Sequence, residues 1–278
     1  MQEGFPNLVR LTPEAYIGDM HDRGANTPTD IGIATIGPWL ALDTYRYHDI
    51  VRRTSRYVDR MKPAAVIFDM DGTLIDSEKL NLRFWRQAAK MHGIDMMDED
   101  ILYIRSLDSK ISRSFLESKY PGFRVDDIRE TRRELMRIHV ETEGLELKPG
   151  VIEMLTFLKG NGIRTAVATA TQPVRANAYL EMLGIKHLFD EIVCTAMVPV
   201  GKPKPDVYLH ACECVGCEPS ECMAVEDSPN GLRSAYSAGC EVVYIPDLTE
   251  PDDETGPISH HVFGDMNEMR EYMQSLIS

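Results

Sequence analysis

Positive charge is scarce in this sequence. Thirty lysines and arginines stand against 44 aspartates and glutamates, leaving a net charge of −14 and a pI near 5.0. A surface of that sign disfavours nucleic acid, whose binding rests on neutralising phosphates with basic side chains. Long apolar runs are also missing: none approaches the roughly 18 residues of a membrane helix, so no membrane partner is expected. The opening Met-Gln-Glu-Gly-Phe-Pro has neither the basic start nor the apolar stretch of a secretory signal. It also carries too many acids for a transit peptide, and the cytoplasm is the expected location. Six cysteines in 278 residues make no disulfide framework. Cys212, Cys214, Cys217 and Cys222 are clustered, but not as paired C-x2-C knuckles, so zinc is not expected. The His260-His261 pair is read as a strand-edge surface feature rather than a metal site.

What is present is an ordinary globular composition, 43% apolar and 27% charged, in a chain long enough for a full core. Residues 1–60 hold seven arginines, no lysine and only short apolar runs, and are expected to be an extension outside the core, with Met61 a candidate natural start. From Ala64 to Phe68 the chain has strand composition, closed by the turn signal Asp71-Gly72. Residues 78–146 then read as helical throughout: Leu80, Phe84, Ala88 and Met91 recur at helical spacing, and further helices are expected near 98–105, 109–120 and 126–142. Arg129, Arg132, Arg133 and Arg137 sit among acids there and are most simply solvated helix faces. After Pro149-Gly150 helices alternate with strands expected at 164–168, 191–194, 222–225 and 241–245, which means βαβ units and a parallel sheet. The helical block is thus inserted between the first strand and the rest. Ligands of such sheets bind at the carboxyl ends of the strands.

Chemistry-bearing residues gather at those ends. Asp69 and Asp71 leave the first strand on the same side of the backbone. Two converging carboxylates repel unless a cation lies between them, and a hard divalent ion such as Mg2+ is the usual solution when the substrate is a phosphate. Thr169 ends the second strand, followed by the free backbone N–H groups of Ala170 and Thr171. Lys202 lies in Gly-Lys-Pro-Lys-Pro-Asp, a loop stiffened by two prolines before a helix that Asp206 is expected to cap. Glu226 and Asp227 form a second acidic pair in Glu-Asp-Ser-Pro-Asn-Gly.

The stretch Phe-Asp-Met-Asp-Gly-Thr-Leu-Ile-Asp-Ser-Glu (68–78) resembles the first motif of the haloacid dehalogenase-like superfamily of phosphatases and phosphotransferases. Thr169-Ala-Thr, Lys202-Pro-Lys-Pro-Asp and Glu226-Asp-Ser-Pro-Asn-Gly resemble its second, third and fourth motifs, in order, and the likeness covers about residues 61–278. It implies an α/β fold: a Rossmann-like parallel sheet core over 61–77 and 147–278, with an inserted α-helical cap domain over 78–146 like that of β-phosphoglucomutase and phosphoglycolate phosphatase. It implies that Asp69 is a nucleophile forming an aspartyl-phosphate and Asp71 the general acid and base. Thr169, Lys202 and the backbone N–H groups near Met70, Asp71 and Ala170 would hold the phosphate. Mg2+ would be held by Asp69, the main-chain carbonyl of Asp71, Asp227 and Glu226.

The expected function is therefore a Mg2+-dependent phosphatase acting on a small phosphorylated metabolite, a sugar phosphate or phosphoglycolate-like ester, as a monomer or weak homodimer. The alternative is a hexose-phosphate mutase. Mutases of the β-phosphoglucomutase kind carry a histidine where this chain has Asn81, and no counterpart of their cap arginine stands out. Asp76 is expected to hydrogen-bond at the hinge. Within the cap, Arg105, Ser109, Lys110 and Arg113 are candidates to face the core.

Overall fold

The computed structural model describes residues 62–250 and 252–277. They belong to one compact unit beginning at Arg60; the expectations for residues 1–60 and Met61 lie outside the described residues. Strand β1 (Ala65–Phe68) is buried along its whole length, as a strand covered on both faces must be. Ala65 and Ile67 face one hydrophobic cluster, Val66 and Phe68 the other, the two-residue period of a pleat. Beside it lie β2 (Arg164–Thr169), β3 (Glu191–Cys194), β4 (Cys222–Glu226), β5 (Glu241–Tyr244) and β6 (His261–Val262). All are parallel, in the order β3-β2-β1-β4-β5-β6.

That order reverses direction at β1. The chain steps outward to β2 and β3, then returns to build β4, β5 and β6 on the other side. The crevice between the carboxyl ends of β1 and β4 is the switch point where such sheets bind ligands. Phe68 pairs with Val225 in register, and Asp69 N–H donates to the Val225 carbonyl at 2.9 Å. The first and fourth motifs are therefore held against each other by the sheet itself.

Nine α-helices occur among the described residues. Helices α5 (Val151–Gly160), α6 (Pro173–Met182) and α9 (Met266–Ile277) pack on one sheet face through Met154, Leu155, Leu180, Met269 and Met273. On the other face lie α7 (Asp206–Cys214) and α8 (Pro229–Ala238), with Val207, Tyr208, Ala211, Leu232 and Ala235. Asp206 is the first residue of α7 and caps nothing with its side chain; Pro205 occupies the cap position. The inserted block comprises α1 (Glu78–Met91), α2 (Asp98–Tyr103), α3 (Ser109–Lys119) and α4 (Val125–Thr142). It has its own core of Trp85, Ala88, Leu116 and Ile128. No helix among the described residues is long and apolar enough to cross a membrane.

The two connections to this block run side by side. Ile75 bridges Leu147, Asp76 N–H donates to the Glu146 carbonyl at 2.9 Å, and Lys148 N–H donates to the Leu74 carbonyl at 3.0 Å. The expected place of Asp76 at the hinge has a concrete form: its carboxylate lies 3.7 Å from Lys148 Nζ. β6 and α9 extend the fold beyond the last expected strand.

Two glycines are required by close approach. Gly72 has φ +88°, and a Cβ there would lie 2.1 Å from Asp227 Oδ2. A Cβ on Gly231, in the first turn of α8, would lie 2.0 Å from the Glu226 carboxylate. Alanine normally stabilises a helix over glycine by about 1 kcal/mol. Gly231→Ala is expected to do the reverse, lowering stability in urea unfolding by about 1–3 kcal/mol through overpacking. A variant as stable as the wild type would contradict this packing.

Candidate active site

Strand ends, the loops after them and one arginine of the inserted block bring five acids and two cations into a small volume. Lys202, carried on the loop before α7, is fully buried. Its ammonium donates to Asp69 Oδ1 and to Glu226 Oε1, each at 2.5 Å. Tyr208, one turn into α7, donates to the same Glu226 oxygen at 2.6 Å. The other Glu226 oxygen accepts from Asp227 N–H and Ser228 Oγ, each at 3.3 Å. Burial works against the Lys202 charge, but Asp69 and Glu226 outweigh it and push its pKa up. This ammonium stays charged at every physiological pH.

Its partners are less well compensated. Burial drives the Asp69 pKa well above the usual carboxylate range; Lys202 opposes this, and Glu226 and Asp227 add to it. Asp227 is raised in the same way, with Arg105 opposing. Asp69, Glu226 and Asp227 offer oxygens that all lie within 4.8 Å of one another. Asp69 Oδ2 and both carboxylate oxygens of Asp227 are buried and receive no hydrogen bond. Arg105 Nη1 comes to 3.2 Å of Asp227 Oδ2, an ion-pair distance at which the N–H is not aimed along a hydrogen bond. Three buried carboxylate oxygens without donors in one place are costly to ionise unless a cation joins them. All the donors are hard oxygens, the set that suits Mg2+ or a similar ion.

Asp71 stands apart from that cluster. Its carboxylate accepts from Ser77 Oγ and from Thr171 Oγ1, both at 2.7 Å, so the two aspartates of the first motif divide rather than share a partner. Thr169 Oγ1 accepts from Thr171 N–H at 3.0 Å, which shapes the turn after β2. Asp69, Asp71, Thr169 and Ala170 line one cavity of about 210 Å3 beneath the inserted block. Met70 is buried, and its carbonyl accepts from the N–H groups of Leu74 and Ile75, each at 3.0 Å. Lys202 lies behind the cavity wall, touching it through Asp69.

The inserted block docks on this site through a loop. Arg105 Nη2 donates to the Asp227 carbonyl at 2.7 Å and to Thr249 Oγ1 at 2.8 Å. Asn230 Nδ2 donates to the carbonyls of Tyr103 and Arg105 at 3.1 and 3.0 Å. Asp108 N–H donates to the Lys202 carbonyl at 2.9 Å. Of the four cap candidates, Arg105 and Ser109 reach the cavity. Arg113 instead pairs with Glu117 and Asp126 at the surface, and Lys110 is exposed.

Several participants were not anticipated. Glu78 lines the cavity, and burial lifts its pKa to about 8, against the pull of Arg105. Thr171 orients Asp71 and Tyr208 anchors Glu226, each through a single bond that no spacing rule announces. Arg129 and Arg132 are half-buried and line the cavity together with Arg175, correcting the expectation of a solvated surface for those two; Arg133, at the cavity's edge, is exposed and pairs with Glu130, and Arg137 pairs with Glu134 and Glu141, as expected. The signal was available: positions 129 and 132 share one face of a helix.

Comparison with known proteins shows the family. Residues 63–239 match the model of the haloacid dehalogenase-like hydrolases. Hexitol phosphatase A of Escherichia coli (strain K12) is 34% identical over 201 residues, spanning 69% of this chain and 90% of that protein. A phosphorylated carbohydrates phosphatase of Thermotoga maritima is 35% identical over 185 residues, covering 65% of this chain and 83% of that protein. Among solved structures, CbbY from Rhodobacter sphaeroides in complex with phosphate superposes with a TM-score of 0.64 at 26% identity, covering 74% of this chain and 96% of that one. The family match spans more than half of the chain, and the chain belongs to the haloacid dehalogenase-like hydrolases.

Proposed function

We propose that this hydrolase is a phosphatase of small phosphorylated carbohydrates that works through a phosphoryl group carried on Asp69. The observation that carries the proposal is the buried cluster of Lys202, Asp69, Glu226 and Asp227 beneath a cavity walled by the inserted block. The relatives named for hexitol and carbohydrate phosphates support the substrate class.

In this proposal Lys202 fixes the Asp69 carboxylate through Oδ1 and so holds it oriented toward phosphorus. Attack there splits one difficult displacement into two easier ones. Asp71, oriented by Ser77 and Thr171, protonates the leaving oxygen and then takes a proton from the incoming water. The N–H groups around Asp71 and Ala170 and the Thr169 hydroxyl hold the equatorial oxygens, where transition-state charge is spread. Asp69, Asp227, Glu226 and the main-chain carbonyl of Asp71 would hold Mg2+, which when bound offsets the repulsion between carboxylate and phosphate. The block of residues 78–146 acts as a cap whose docked loop, through Arg105 and Asp108, excludes bulk water during attack. Asn81 bonds Glu78 at 3.1 Å and accepts from Arg132 at 2.7 Å. It has no basic nitrogen to relay a proton to a sugar hydroxyl, which favours water as the acceptor over a mutase.

Asp69→Asn should abolish release of phosphate from an aryl phosphate, and Asp71→Asn should slow it roughly 10²–10⁴-fold; near-wild-type rates in either variant would contradict the assigned roles. The metal is tested by stability. In metal-free protein the raised pKa values of Asp69 and Asp227 mean that the folded state binds protons more tightly than the unfolded. Their contribution to stability is then fully present below about pH 4 and is lost as the pH rises through the folded pKa. Mg2+ binds the deprotonated acids, so the rise in Tm on adding Mg2+ should grow from pH 5.5 to pH 7.5 and vanish in Asp227→Asn. Identical melting with Mg2+ and with EDTA at both pH values would refute the assignment.

A further inference from the structure

One carboxylate of the site is claimed twice. Asp227 is among the three acids whose oxygens lie within 4.8 Å of one another, the set suited to a divalent ion. It is also the partner of Arg105, at 3.2 Å. The arginine comes from the loop between α2 and α3 of the inserted block and is 6% exposed. Its Nη2 bonds to the Asp227 carbonyl and to Thr249 Oγ1, and the Tyr244 hydroxyl donates to the Thr249 carbonyl at 2.5 Å. Asn230 grips the same loop by the carbonyls of Tyr103 and Arg105. Lys202 grips it too, its carbonyl accepting from Asp108 N–H. Among these anchors Ser106 has φ +59°, a left-handed conformation that strains a residue with a side chain and persists where its surroundings hold it.

The pairing of Arg105 with Asp227 is one of charge and not of aligned hydrogen bonds. Nε and Nη1 of the arginine and both carboxylate oxygens of Asp227 are buried without a hydrogen-bond partner. A bidentate pair would fix the carboxylate by geometry; this one neutralises it. A divalent ion among Asp69, Glu226 and Asp227 draws on the same negative charge. It also sets positive charge against the guanidinium in a buried place, where salt and water screen little. Docked arginine and bound ion therefore oppose each other. By linkage, the factor by which docking weakens the ion is the factor by which the ion weakens docking. The strain at Ser106 adds to the tendency of the loop to lift.

We propose that Arg105 is a latch holding the inserted block down on the metal-free site, and that its hold loosens when Asp227 takes up a divalent cation. The proposal rests on the Mg2+ site of the proposed function and gives a positioning role to a residue outside the ligand set. Ile104, Arg105, Ser106 and Leu107 all wall the cavity, so a lifted loop opens it to substrate once the floor is loaded. The phosphate of a bound substrate returns negative charge to the floor and favours redocking for the attack.

The test uses the full chain. Mg2+ dissociation constants are measured by calorimetry for the unmodified protein, Arg105→Gln and Asn230→Ala. Arg113→Gln, which removes the same charge from an exposed pair, is the control. Arg105→Gln should bind Mg2+ roughly 5- to 150-fold more tightly, the ordinary range of coupling between two sites; damage to the fold would weaken binding instead. Asn230→Ala frees the loop with Arg105 and Asp227 intact and should shift the affinity the same way by less. Arg113→Gln should leave it unchanged. Hydrogen exchange of the Asp108 amide, tied by docking to the Lys202 carbonyl, is the reciprocal readout. Mg2+ should speed it in the unmodified chain and have no effect in Arg105→Gln. Unchanged or weaker Mg2+ binding by Arg105→Gln, or slower exchange when Mg2+ is added to the unmodified chain, would overturn the proposal. An unmodified chain that binds no Mg2+ would refute the metal site itself, and the latch with it.

Discussion

A single buried ammonium holds the site together. Lys202 has no exposed surface, and an isolated charge so placed would cost several kcal/mol. It is tolerated because two carboxylates reach it, Asp69 from the end of β1 and Glu226 from the end of β4. Those two residues meet because β1 and β4 are hydrogen-bonded neighbours in register, although more than 150 residues separate them in the chain. The parallel order of the sheet is thus the cause of the site's geometry. Tyr208 and Ser228, the N-cap of α8, then fix Glu226, and Gly231 leaves the room in which its carboxylate sits.

The same interaction leaves a deficit. Lys202 and Arg105 stand against Asp69, Asp71, Glu78, Glu226 and Asp227, and three of the carboxylate oxygens have no donor. Arg105 is tied to the Asp227 carbonyl and to Thr249, so one side chain of the inserted block reaches directly into the acidic cluster.

Much of this was legible in the sequence, for identifiable reasons. The strand at Ala65–Phe68 is short, apolar and ended by Asp71-Gly72, and helices alternate with strands after Gly150; each of these reports local chemistry that needs no tertiary context. The gathering of Asp69, Thr169, Lys202, Glu226 and Asp227 followed from placing each motif at a strand end. What stayed hidden depends on contacts between distant segments. Arg129 and Arg132 lie among Glu130 and Glu134, and sign alternation along a helix reads as a solvated face until the neighbour of that face is known. Tyr208 reads as a core aromatic until Glu226 is seen above it. The methionines at 266, 269 and 273 had the spacing of a buried helix, yet the two-residue strand β6 before them gave no pattern that announced another turn of the fold.

The central claim is that Asp69 itself carries the phosphoryl group. It is tested most directly by mixing the protein with a carbohydrate phosphate and Mg2+, quenching in acid within milliseconds, and mapping the mass of the peptides. A phosphoryl adduct on the peptide containing Asp69, labile to hydroxylamine and absent when Asp69 is replaced, is the predicted result. Full turnover with an unmodified Asp69 peptide at every quench time, including in an Asp71→Asn variant slowed in its second step, would contradict it.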